Sequence, residues 1–231
     1  MDDKSLNPQI LKSSISEFRL IVFDLDGTLV DSRRDLAESA NQILEESGGT
    51  PHSEEAIGRM VGDGAATLVA RVFAEAHCPP PVDALERFLA VYNSRLLRFT
   101  RPYPGIPELL AELQTRAALA VLTNKPIGAT RSVLTGLGLA EYFGSRVVGG
   151  DGPFPRKPDP AGLIHLINKA GVSPSDALLV GDSVIDWRTA RHAGVPCCLA
   201  RYGFGFDGFP LDELARGDRV IDRPEDLSSV L

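Results

Sequence analysis

Residues 20–30, Leu-Ile-Val-Phe-Asp-Leu-Asp-Gly-Thr-Leu-Val, limit what this chain can fold into more than any other stretch. The first four are apolar and favour strands. A short unbroken apolar run suits a strand buried on both faces, as in a parallel sheet. The run then breaks into Asp24-Leu25-Asp26-Gly27-Thr28. Side chains alternate along a strand and its extended exit, so Asp24 and Asp26 share one side and Leu25 takes the other. Two carboxylates about 4 Å apart repel by roughly 4 kcal/mol at an effective dielectric of about 20. A cation has to offset this. Magnesium suits the position, because it takes oxygen ligands and binds one or two carboxylates together with substrate phosphate. Gly27 lets the chain turn and approach closely. Taken alone, the pattern fits two solvated turn residues equally well, so the remaining sequence has to decide.

Downstream, helix and strand patterns alternate. Ser32 is placed to cap a helix running to about Glu46, with Gly48-Gly49 as its stop. Residues 53–100 carry more helical spacing: Ile57, Met60 and Val61; Leu68, Val69, Val72 and Phe73; Leu85, Phe88, Leu89, Tyr92 and Leu96. Pro79-Pro80-Pro81 separates two of these helices. Residues 32–101 thus read as a small all-helical unit inserted after the first strand, with the return at Pro102-Tyr103-Pro104-Gly105. Pro107 then opens a helix with Ile106, Leu109, Leu110 and Leu113 inward. A strand at 119–122 ends in Thr123-Asn124-Lys125, and the next helix turns Ile127, Leu134 and Leu137 inward. A short strand at 146–148 follows. Asp159 and Pro160 open another helix, closed by Gly171. A strand at 177–180 ends in Gly181-Asp182-Ser183 and leads into a helix through Ala193. Two short strands are expected at 196–200 and 219–221. This alternation predicts an α/β fold, a doubly wound parallel sheet with a Rossmann-like core and the helical unit as a cap. The core comprises 19–31 and 102–231, and the cap 32–101. Residues 1–18 are polar, contain serines and lack an apolar signal core, so they read as a loosely ordered extension.

Composition narrows the function classes. A net charge of −7 over 231 residues leaves no basic field for nucleic acid. No run reaches the length of a membrane span. The three cysteines, Cys78 and the adjacent Cys197 and Cys198, do not form a disulfide framework and fit a reducing cytoplasm.

In an open parallel sheet, ligands bind beyond the carboxyl ends of the strands. Asp24, Asp26, Asp182 and Asp186 therefore meet Thr123, Asn124 and Lys157 in one place. Such an acidic cluster with one lysine is costly unless it holds a divalent cation and an anion together, and phosphate fits that requirement. Asp24-Leu-Asp-Gly-Thr28, Thr123-Asn124, Lys157-Pro158 and Gly181-Asp-Ser-x-x-Asp186 resemble the four ordered motifs of the haloacid dehalogenase superfamily of phosphatases. The resemblance covers residues 19–231. It implies that Asp24 is the nucleophile, and that Asp26 protonates the leaving alkoxide and then activates water. It implies that Thr123, with Asn124 nearby, binds the phosphoryl group, and that Lys157 neutralises charge between it and Asp24. Asp24, the Asp26 carbonyl and Asp182 would hold Mg2+, supported by Asp186. One departure is Ile185, where the family often has a polar residue before the last aspartate. Trp187 reads as packing.

The insert is similar to the cap of phosphoglycolate phosphatases at Val61-Gly62-Asp63-Gly64-Ala65 and at Leu68-Val69-Ala70-Arg71. So are Leu122-Thr-Asn-Lys-Pro126, Tyr142-Phe143, Gly149-Gly-Asp151 and Tyr202-Gly203 in the core. The resemblance implies hydrolysis of 2-phosphoglycolate, a small phosphorylated metabolite, by a monomer or homodimer. Gly62 and Gly64 are candidates to bring backbone N–H groups to a small ligand. Arg71 would meet the substrate carboxylate or pair with an acidic neighbour. Other small esters, pyrophosphate, or mutase chemistry on a sugar phosphate are the alternatives within the superfamily. A phosphonate hydrolase of this family would need a cap lysine, and residues 32–101 contain none. From other classes, a phospho-receiver would be about half this length without a cap, and a non-catalytic phosphate-binding protein would not need every motif position filled.

Overall fold

The computed structural model describes residues 18–207, 209–215 and 217–231. The expected extension falls outside them except for Phe18. That residue is buried in the core.

Strand β1 (Leu20–Phe23) lies between β4 (Ala118–Leu122) and β6 (Ala177–Gly181), parallel to both. Beyond β4 is β5 (Val147–Val148), and beyond β6 are β7 (Cys197–Ala200) and β8 (Arg219–Ile221). All neighbours pair in parallel, in the order β5-β4-β1-β6-β7-β8. The expected doubly wound sheet is present. All four β1 side chains are buried because strands flank them and helices cover both faces.

Strand alternation separates two hydrophobic layers. Ile21, Phe23, Val121 and Val180 face one side, with α5 (Ile106–Leu113) and α6 (Ile127–Gly136). Leu20, Val22, Leu122 and Leu179 face the other, with α8 (Ala161–Ala170) and α9 (Val184–Ala193). Cys197 and Cys198 fall on opposite faces, each as buried filler. In α6 the buried residues are Thr130, Val133 and Leu134; Leu137, just past its end, packs half-buried against the same cluster as expected, and Ile127 is half-buried.

The chain leaves the core through β2 (Val30–Asp31) and returns through β3 (Arg101–Pro102), which pair antiparallel. Between them run α1 (Arg33–Glu46), α2 (Glu54–Gly58), α3 (Ala65–Glu75) and α4 (Ala84–Asn93). These share a separate cluster built on Leu36, Ile43, Leu68, Phe73, Phe88 and Tyr92. Leu85 is exposed instead of joining it. Asp35, fully buried in the first turn of α1, accepts from the Phe99 and Thr100 N–H groups at 2.9 and 2.8 Å and from the Thr100 hydroxyl at 2.8 Å. This contact ties the start of the insert to its end.

Candidate active site

The strand ends bring the acidic residues together as alternation requires. Asp24, Asp182 and Asp186 are all buried, and an oxygen from each lies within 4.8 Å of the others. Lys157 Nζ sits 2.8 Å from Asp24 Oδ1 and 2.6 Å from Asp186 Oδ1. Lys157 thus bridges the two carboxylates, with the better hydrogen-bond geometry towards Asp186. Asp182 accepts from the Gly205 N–H at 2.7 Å and from the Thr28 hydroxyl at 3.3 Å. Gly27 has a φ of +90°, and a Cβ there would lie 2.0 Å from Asp182 Oδ2. Glycine is what allows this turn and this close approach together.

Asp186 is the most constrained of the three. Ser183 caps α9 and exchanges hydrogen bonds with Asp186 in a capping box, and the Ser183 hydroxyl also donates to Asp186 Oδ2 at 2.6 Å. Both Asp186 oxygens are therefore engaged, one by Ser183 and one by Lys157. Ile185 lies against the insert, with Cδ1 3.1 Å from where a Gly62 Cβ would stand. Trp187 packs in the core, edge-on to Phe209, and donates to Asp218 at 3.0 Å.

Three carboxylates around one ammonium leave a formal deficit of two positive charges. Burial raises Asp24; Lys157 draws it back, while Asp186 and Asp26 raise it further, and the carboxyl ends at about 6. Asp182 is held well above the usual carboxylate range, first by burial and then by Asp186 and Asp24. Burial pulls Lys157 down, but Asp186 and Asp24 carry it above the ordinary lysine value. The clustered carboxylate oxygens and the charge deficit fit a divalent cation on Asp24 and Asp182.

The sequence model of the haloacid dehalogenase-like hydrolase family matches residues 21–200, and this span contains every member of the cluster. The chain belongs to this family. Among similar proteins, the phosphoglycolate phosphatase of Rhodospirillum rubrum is 45% identical over 195 residues, 80% of each chain. The protein of Cupriavidus necator named phosphoglycolate phosphatase, plasmid, is 36% identical over 218 residues, 91% of this chain and 92% of its own. A crystal structure of a predicted phosphoglycolate phosphatase from Haemophilus somnus 129PT superposes with a TM-score of 0.85 at 32% identity. That match covers 94% of this chain and 99% of the other.

In this haloacid dehalogenase-like hydrolase, Asp24 and Asp26 open onto a cavity of about 50 Å3 between the sheet and the helical insert. Thr123, Asn124 and Lys125 complete the core side, and Gly62, Gly64, Val61, Leu68, Phe88 and Tyr92 belong to the insert side. Thr123 is buried; its hydroxyl accepts from the Lys125 N–H at 3.2 Å and keeps its proton free to donate.

Two expectations change, and one open alternative is decided. Asn124 lines the cavity, but its side chain is saturated by backbone: it donates to the Gly62 and Lys157 carbonyls, both at 2.9 Å, and accepts from the Lys157 N–H at 2.8 Å. It joins the insert to the core in place of binding a ligand through its side chain. Of its two expected roles Arg71 takes the pairing with an acidic neighbour: it is outside the cavity lining, paired with Asp63 at 2.6 Å and donating to the Met60 carbonyl at 2.9 Å. Ser32 caps α1 by position only, because its hydroxyl donates to Asp26 at 2.5 Å.

Lys125 was not singled out by sequence reasoning. Its buried ammonium contacts Asp26 Oδ1 at 2.9 Å and Oδ2 at 3.0 Å, and hydrogen-bonds the Tyr92 hydroxyl from the insert. Burial lowers its proton affinity, yet Asp26 and Tyr92 more than restore it. The available signal was its place two residues beyond Thr123 on a strand exit, where side chains 123 and 125 share a side.

Proposed function

We propose that this hydrolase is a magnesium-dependent phosphatase of small phosphate monoesters that converts 2-phosphoglycolate to glycolate and phosphate. The observation that carries the reading is Asp24: a buried carboxylate in the acidic cluster, paired with Lys157 and lining a cavity between the sheet and the insert. The names of the R. rubrum and C. necator relatives support the choice of ester.

Asp24 attacks phosphorus and forms an aspartyl-phosphate while the ester P–O bond breaks. Asp26 gives its proton to the leaving glycolate oxygen. Asp26 then takes a proton from water as the water oxygen attacks phosphorus, and the Asp24–phosphorus bond breaks to release phosphate. Thr123 donates to the phosphoryl oxygens, and Lys157 offsets their charge as the carboxylate approaches. Asp186 acts through Lys157, which it holds in position. Asp24, Asp182 and the Asp26 carbonyl would hold Mg2+, whose charge would stabilise the phosphoryl oxygens. Residues 32–101 serve as a cap that excludes water, and residues 19–31 and 102–231 as the catalytic core. The three free thiols support a cytoplasmic location.

Phosphate release from a panel of small esters, with and without magnesium, tests the reading. A magnesium-dependent preference for 2-phosphoglycolate is expected, and preference for another ester discards the substrate while keeping the chemistry. Asp24→Asn is expected to abolish turnover with an unchanged circular dichroism spectrum. Near-normal turnover in that variant removes Asp24 as nucleophile.

A further inference from the structure

We propose that Lys125 determines specificity in this site, with its ammonium taking the second anionic group of the substrate. For 2-phosphoglycolate that group is the carboxylate, and the inference rests on the reading above for the choice of ester.

The cavity has two ends of different chemistry. At the Asp24 end, positive charge is already supplied by Lys157, which lies beside the nucleophile and outside the cavity lining. Towards the insert, Val61, Leu68, Phe88 and Leu89 present apolar surface. A carboxylate against such a wall is costly unless it is paired and hydrogen-bonded. Among the described residues, Lys125 is the only cationic side chain lining the cavity. Its side chain is only 4% exposed, so solvent screens it little. Arg71, the other basic candidate of the insert, is committed to Asp63 and Met60 outside.

Lys125 is also placed to change partners. It contacts both oxygens of Asp26 and the Tyr92 hydroxyl, and its Nζ lies 4.5 Å from the centre of the Tyr92 ring. An ammonium has three protons on a flexible stem and can bridge two anions. Asp26 keeps the Ser32 hydroxyl if Lys125 turns partly away. Tyr92 belongs to α4, so the Lys125 subsite is complete only when the insert lies over the sheet.

The test compares 2-phosphoglycolate with 2-hydroxyethyl phosphate, in which an uncharged CH2OH replaces the carboxylate. Steady-state kinetics are measured for the parent, Lys125→Met and Lys125→Gln. Loss of a charged hydrogen-bond partner predicts that kcat/KM falls about 10- to 100-fold more on 2-phosphoglycolate than on the uncharged ester, mainly through KM. Equal losses on both esters, with the parent still preferring 2-phosphoglycolate, overturn the proposal and leave the function standing. They would mean that Lys125 acts only by positioning Asp26. A parent that favours 2-hydroxyethyl phosphate overturns both. Should neither variant give a cooperative thermal transition, Tyr92→Phe carries the test. Removing its hydroxyl is expected to reduce the parent's preference for the carboxylate by a few-fold, and an unchanged preference counts against the proposal.

Discussion

Asp26 faces two demands. Lys125 and Ser32 hold its carboxylate in place, while the proposed reaction needs it to carry a proton to the leaving group. Asp26→Ala is therefore expected to lower turnover of 2-phosphoglycolate by about 10²- to 10⁴-fold. The loss in kcat/KM, which reports only as far as formation of the aspartyl-phosphate and not the shared hydrolysis step, should be much smaller with p-nitrophenyl phosphate, whose leaving group departs without a proton. Equal losses on the two esters would remove Asp26 from the acid role. Asp24, Thr123 and Asp182 were legible because each follows a buried strand, and parallel strands deliver their ends to one place. Lys125 was not, because a lysine just beyond a strand looks the same in sequence whether solvent or a carboxylate 99 positions away receives it. Asn124 and Ser32 were legible by position and misread in role, since other partners outcompeted the expected ones for their hydrogen bonds.

Elements with a strong period were read nearly to their ends. The β1 run and helix α1 carry their burial in their spacing. The β2–β3 pair was missed, because two-residue strands have no period and their register comes from the partner. Asp35 was also unremarkable in sequence, an acid in the first turn of a helix, where such charges are common. In the structure it closes the insert by receiving three hydrogen bonds, and its Oδ1 lies 3.5 Å from Arg95 Nε. Asp35→Ala leaves two backbone donors and Arg95 without this acceptor. It is expected to cost about 3–5 kcal/mol, read as a lowered midpoint in urea unfolding. A change below about 0.5 kcal/mol, the range of an ordinary surface substitution, would show that the insert closes without it.

Across the whole molecule, the site opposes folding until its charge is neutralised. Asp24 is raised from 3.8 to about 6, so between those values the folded protein holds a proton that the unfolded chain has lost. In the metal-free protein this contribution favours folding below about 4 and is lost as pH rises through about 6. Magnesium requires the deprotonated carboxylates, so its effect runs the other way. The rise in Tm on adding magnesium is expected to be large at pH 7.5 and to shrink as pH falls through about 6. Thermal scans across pH, with and without the ion, measure it, and a pH-independent rise would place the ion elsewhere. Among the described residues no helix is long and apolar enough to cross a membrane.

The central place of β1 also governs the order in which this protein can be made. Leu20 pairs with Ala118 on one side and with Ala177 on the other. The strand that leads into Asp24 leaves the ribosome before either of its neighbours, which follow about 100 and 160 residues later. During that interval β1 has no ladder, while the helices of the insert, whose cluster is drawn from residues 36–92, already have every partner they need. Synthesis therefore favours an insert that forms first and a sheet that closes around β1 afterwards, with Asp24 among the last groups to be set in place.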